Sequence, residues 1–183
     1  MPGVNGGEKQ ASSLPHVPES LVARGIALRA ETPEDTAFLR QLYIAGRWEE
    51  LSATGWPDEA RVAFLSQQFA FQTQHYTTHY LGAAWGIVTQ HDTPIGRLYL
   101  HQGAADLRII DISIFTTYRN QGIGTGLIHA VFDLARQRQT RVSIHVESFN
   151  INARRLYDRL GFVQGERVGV YDRMDWTPPE QPR

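Results

Sequence analysis

Residues 118–127, Tyr-Arg-Asn-Gln-Gly-Ile-Gly-Thr-Gly-Leu, carry the densest chemical signal in the chain. Glycines 122, 124 and 126 stand between a strand-like run and a helical stripe. Glycine removes the side chain where backbone N–H groups must approach an anion. The helix start that follows adds unpaired donors and a favourable dipole. The chemistry this suits is capture of a phosphate or pyrophosphate. A Walker loop would require Gly-x-x-x-x-Gly-Lys-Ser/Thr, and no such lysine is present. A dinucleotide fingerprint would require Gly-x-Gly-x-x-Gly after the first strand of a βαβ unit. Here the spacing is Gly-x-Gly-x-Gly, after a run of antiparallel character. A glycine-rich helix start that binds nothing stays open on these residues alone.

A third pattern fits the same stretch: Arg119-x-x-Gly122-x-Gly124 resembles the acyl-CoA pyrophosphate loop of the GNAT (GCN5-related N-acetyltransferase) superfamily. About 30 residues on, Asn150, Ala153, Tyr157, Gly161 and Phe162 resemble its second signature, Asn-x-x-Ala-x-x-x-Tyr-x-x-x-Gly-Phe. The resemblance is detailed over residues 108–176. Upstream it rests on element order and on a looser likeness to uncharacterised bacterial members. It implies acetyl-CoA as cosubstrate, held by the loop backbone from about Gln121 through Gly122, Ile123 and Gly124 to Thr125. Arg119 and Asn120, just before it, are implied as cofactor-binding too, the Arg119 side chain helping to hold the pyrophosphate. In such folds the fourth strand splays from the fifth and pairs with the pantetheine arm, a place taken here by Ile114, Phe115 and Thr116. Asn150 would touch the pantetheine or pack the loop. Tyr157 takes the position of the tyrosine that points at the cofactor sulfur. A phenol of pKa ~10 is protonated at neutral pH and can donate to a departing thiolate. Packing in the helix core is the competing role for Tyr157.

Acetyl transfer to an amine also needs a proton acceptor. Asp111 stands in the apolar run Ile109, Ile110, Asp111, Ile112. A carboxylate there must be paired or have a raised pKa, and a raised pKa suits a general base. The alternative is an ion pair with Arg97 or Arg108. Glu147 is the second candidate, and His145 and His101 follow. His75 and His79 stand at i, i+4 on a helical run, without the glutamate or third ligand that a zinc site would need, so no metal is expected. The expected activity is transfer of an acetyl group from acetyl-CoA to a primary amine in a ternary complex. The alternatives are a longer acyl-CoA and a non-catalytic acyl-CoA-binding module. The acceptor, a small molecule or a peptide, is not legible.

The elements that must hold these residues read as follows. Strands are expected at 26–30, 83–89, 96–101, 107–115, 141–146, 162–163 and 168–176. Thr32, Pro33 and Asp35 mark a capped helix start, with Ala37, Phe38, Leu42 and Ala45 on its apolar face. Trp56, Pro57 and Asp58 break the chain before a second helix that carries Phe64, Leu65, Phe69 and Tyr76. Trp48, Trp56, Trp85 and this aromatic-rich helix read mainly as core. The resemblance implies that some of them wall the acceptor pocket. A helix from Ile123 to Gln139 and a short one ended by Gly161 complete the order β-α-α-β-β-β-α-β-α-β-β. That order gives an α/β fold with a mixed, centrally antiparallel twisted sheet of six to seven strands and about four helices, GNAT-like.

The 183 residues suit one domain over 21–176, with a flexible tail at 1–20 and a proline-rich one at 177–183. Hydrophobic residues make up 42%, enough for a core, and a net charge of −1 gives no global field for nucleic acid. With no cysteine there is neither a disulfide nor a thiolate nucleophile. No apolar run approaches the ~20 residues of a membrane helix, and no signal peptide is visible, so the cytoplasm is the expected location. The superfamily resemblance also implies a possible homodimer.

Overall fold

The computed structural model describes residues 12–179. Its elements are α1 (Glu19–Val22), β1 (Ile26–Ala30), α2 (Thr36–Arg47), α3 (Asp58–His79), β2 (Ala84–Gln90), β3 (Thr93–Gln102), β4 (Asp106–Ile114), α4 (Ile123–Gln137), β5 (Arg141–Glu147), α5 (Ile151–Arg159), β6 (Val163–Val168) and β7 (Tyr171–Trp176). The strands form one sheet in the order β1-β2-β3-β4-β5-β7-β6. All neighbours run antiparallel except β4 and β5. This is the expected α/β architecture at seven strands. The helix start expected at Thr32 and Pro33 opens as a 3₁₀ turn, Pro33–Asp35, that leads into α2, while the four-residue α1 and the 3₁₀ turns at Trp48–Thr54 and Thr116–Tyr118 were not legible in the sequence.

Two irregularities shape the middle of the sheet. The β4–β5 ladder spans only 106–109 against 141–144, after which the strands part. On the other edge of β4, Tyr99 pairs with Asp111 but Leu100 pairs with Ile109, so Ile110 is a bulge. Without it, strict alternation would put Asp111 on the same face as Ile109, in the main core. The extra residue turns Asp111 to the opposite face.

One sheet face carries that core, where Leu98, Leu107, Ile109, Leu127, Val131, Phe132, Val142 and Met174 are fully buried. Phe132 stacks on Trp176 at 4.0 Å. The other face is covered by α2 and α3 through a smaller cluster of Leu39, Phe69, Ile87 and Tyr99. The buried positions of α2 are Leu39 and Leu42, while Ala37 and Ala45 are exposed. The apolar stripe expected there was thus half misplaced, because small alanines satisfy the spacing without contributing area. Phe64 likewise lies outside the core, at 37% exposure.

The expected tail at 1–20 falls partly outside the described residues. From Ser12 onward this segment lies on the main-core face. Ser12 Oγ accepts from the Gln102 amide at 2.9 Å, Arg138 donates to Ser13 Oγ at 2.6 Å, and Pro15 is buried. A Cβ on Gly86 would stand 2.6 Å from the Leu14 side chain, so the strand needs glycine to admit this segment.

Candidate active site

Where β4 and β5 part, a cleft of about 1480 Å³ opens. The two strands, the start of α4, and residues of α2, α3 and α5 line it. The glycine loop forms one end. Asn120 (φ 59°) and Gly122 (φ 77°) adopt left-handed backbone, which curls the chain immediately before α4. The first N–H groups of a helix have no intrahelical acceptor, and here they belong to Ile123, Gly124 and Thr125 at the cleft. A Cβ built on Gly122 or Gly124 meets nothing within 4 Å, so both face open space. One on Gly126 would stand 2.7 Å from the Leu21 side chain. The three glycines therefore stand in two settings: Gly122 and Gly124 face open space, and Gly126 admits α1. An anion as large as a pyrophosphate fits this arrangement.

Arg119 does not reach freely into that space. Its Nε donates to the Ile114 carbonyl at 2.8 Å and ties the loop to the last residue of β4. Phe115 donates its amide to the Ile95 carbonyl at 2.9 Å, and Thr116 opens the 3₁₀ turn into the loop. Gln121 is tied down at both groups. Its carbonyl accepts from Arg24 at 2.8 Å, and its side chain donates to the Thr117 carbonyl at 3.1 Å. Asn150 caps α5, its Oδ1 accepting from the Ala153 amide at 3.1 Å, and it also lines the cleft.

Tyr157 lies on α5, 7% exposed, and lines the cleft. Burial first, and the negative charge of Asp111 second, push its phenol above the usual tyrosine value. Asp111 lies across the cleft and is already engaged. Its Oδ2 pairs with Arg97 Nη2 at 2.7 Å and accepts from Tyr76 at 3.2 Å, and its Oδ1 accepts from Ser113 Oγ at 2.6 Å. Arg97 is 4% exposed, leans on the Tyr99 ring at 4.9 Å and also donates to Gln72 at 2.7 Å. Of the two arginines expected as ion-pair partners of Asp111, Arg97 is the one that meets it. Arg108 instead meets Ser143.

The sequence over residues 43–162 matches the Acetyltransferase (GNAT) family. The chain belongs to that family. The PaiA N-acetyltransferase of Thermoplasma acidophilum, solved in complex with coenzyme A, superposes with a TM-score of 0.65 at 16% identity, covering 84% of this chain and 99% of that one. A GCN5-related N-acetyltransferase from Rhodopseudomonas palustris gives 0.57 at 22% identity over 92% and 99%. An acetyltransferase from Salmonella typhimurium that modifies the N-terminal serine of ribosomal protein L7/L12 gives 0.59 at 14% identity over 89% and 99%. No protein of curated function matches the sequence significantly.

In this GNAT enzyme the cleft also holds a residue that sequence reasoning left aside, Arg47. Arg47, at the end of α2, meets Glu50 at 2.9 Å and reaches across to Glu147, the last residue of β5, at 3.4 Å. Phe64, Phe71 and His75 of α3 also line the cleft. They belong to the aromatic-rich helix from which part of a pocket wall was expected. His145, beside Glu147 on β5, is held below the usual histidine value by burial first and then by Arg108 and Arg173. His101 packs edge-on against Tyr80 at 5.5 Å. His75 and His79 stack at 4.1 Å, and the described residues contain no group of three or more His, Cys, Asp or Glu suited to a metal. No described helix is long and apolar enough to cross a membrane.

Proposed function

We propose that this acetyltransferase carries an acetyl group from acetyl-CoA directly to a primary amine in a ternary complex. The observation that carries the reading is the joining of two features. A loop with open space at Gly122 and Gly124 runs straight into the end of a strand parted from its neighbour. The loop amides from Gln121 to Thr125 hold the pyrophosphate. The parted edge of β4 up to Ile114 receives the amide-bearing arm, Phe115 and Thr116 lie beyond the strand and lead from it into the loop, and Asn150 fixes the start of α5 beside it.

The amine nitrogen attacks the thioester carbonyl carbon, and the C–S bond breaks. Tyr157, kept protonated by its burial, donates its proton to the leaving thiolate. The amine must lose a proton in the same cycle. Asp111 has three hydrogen-bond donors on its two oxygens, one of them the paired guanidinium. Glu147, half-buried with one long contact to Arg47, is the freer acceptor. We therefore assign proton removal to Glu147, directly or through water, and give Asp111 a positioning role through Tyr76 and Arg97.

Thiol release from acetyl-CoA in the presence of a panel of amines tests the activity. The Glu147→Gln and Asp111→Asn pH–rate profiles test the assignment. Glu147→Gln should lose turnover near neutral pH and recover as free amine rises at high pH. A wild-type profile in Glu147→Gln, with an altered one in Asp111→Asn, would return the role to Asp111.

A further inference from the structure

Helix α3 buries Leu65 and Phe69 against the sheet, yet two other phenylalanines on it face the cleft. Phe64 is 37% exposed and Phe71 is 55% exposed. Trp56 packs edge-on against Phe64 at 5.5 Å and holds the ring in place. Leu51, in the turn after α2, continues the apolar strip along the same cleft. Large apolar side chains left wet inside a cleft mark a ligand surface rather than a contribution to stability.

At the Leu51 end the surface changes character. Glu50 and Glu147 share the single guanidinium of Arg47, at 2.9 and 3.4 Å, so this end carries one net negative charge. The guanidinium occupies Glu147 loosely and from the opposite wall, as a substrate cation would. We propose that the acceptor is a primary amine carried on an apolar body, aromatic or aliphatic. The body lies along Phe64 and Phe71, and the ammonium replaces Arg47 at Glu147. A short polar amine would leave both rings in water. A polycation would find one net charge and an apolar wall. The proposal rests on the N-acetyl transfer reading.

The test uses the full chain, saturating acetyl-CoA, and four acceptors: 2-phenylethylamine, hexylamine, ethanolamine and spermidine. We expect kcat/KM for the first two to exceed that for ethanolamine by roughly 10- to 100-fold. Phe71→Ala and Phe64→Ala should each lower that ratio about tenfold, with melting temperature measured as the control for folding. Equal or better turnover of ethanolamine or spermidine overturns the proposal, as does an unchanged ratio in both variants. Turnover of none of the four, with coenzyme A still bound in a calorimetric titration, also overturns it and leaves the cofactor site standing. Failure of the wild-type protein to bind coenzyme A sinks the acetyl-transfer reading itself.

Discussion

Tyr157 is surrounded so that its phenol keeps its proton. Burial and the Asp111 charge both disfavour the phenolate, so it does not titrate across the range in which the enzyme is assayed. Replacing it with phenylalanine keeps the ring against Phe162, 5.6 Å away, and deletes the donor. Turnover should fall ~10²–10⁴-fold with coenzyme A affinity nearly unchanged. Unchanged turnover would assign Tyr157 to packing. Asp111 predicts a different signature. Asp111→Asn leaves the buried Arg97 without its counter-charge, at a cost of ~3–5 kcal/mol, and should lower the melting temperature by roughly 10 °C. Pairing that change with Arg97→Met should restore much of the loss, because the stranded charge goes too. The contrast between these residues shows what one-dimensional spacing carries. Tyr157 and the glycines sit at fixed offsets within single strand–helix units, so they can be read along the chain. Arg97 stood beside Arg108 as a possible partner of Asp111, and the choice between them turns on a bulge at Ile110 that no residue type announces. The Arg47–Glu147 contact spans 100 residues, so it is invisible until the fold exists.

At the scale of elements, the start of α4 separates binding from packing. Gly124→Val places a branched side chain in the open space over the loop amides. It should abolish measurable coenzyme A binding in a calorimetric titration while leaving the fold intact. Gly126→Val should do the reverse, disturbing α1 at Leu21 and lowering the melting temperature. The entry to α2 has its own pH dependence. Asp35 accepts the Thr32 amide at 2.9 Å and pairs with Arg29 through both oxygens, at 2.6 and 2.7 Å. The Arg29 hydrogen bond is the main reason its carboxyl is lowered to about 2. The folded value lies below the unfolded one, so the unfolded chain takes up the proton first as pH falls. The stabilisation is complete above about pH 4 and disappears as pH drops toward 2. Asp35→Asn should therefore melt below wild type at neutral pH, with the gap closing over that acid window. The capping signature Thr32-Pro33-Glu34-Asp35 was legible because it is local. Its ion pair with a strand residue was not.

At the scale of the whole molecule, the sheet is covered on the main-core face by α1, α4 and α5 and by the segment from Ser12 that an unstructured composition had disguised. Polar, proline-bearing chain can dock when its few apolar residues meet a glycine, as Leu14 meets Gly86. Deleting the chain through Val17 should lower the melting temperature by several degrees through lost burial, with coenzyme A binding retained. The parted strands have a further consequence. β1 to β4 form one ladder and β5, β7 and β6 another, stitched by the residue pairs between 106–109 and 141–144. Beyond the stitch, every second backbone amide faces the cleft instead of a neighbouring strand, while β3 keeps the others, so the two halves of one strand differ in how readily they trade protons with water. Amide exchange in the free enzyme should be slow at 107–109, and at 111 and 113, which face β3, and much faster at 112 and 114, which face the cleft. Saturation with coenzyme A should slow the second group and leave the first unmoved, since the arm of the substrate would then serve as the missing eighth strand.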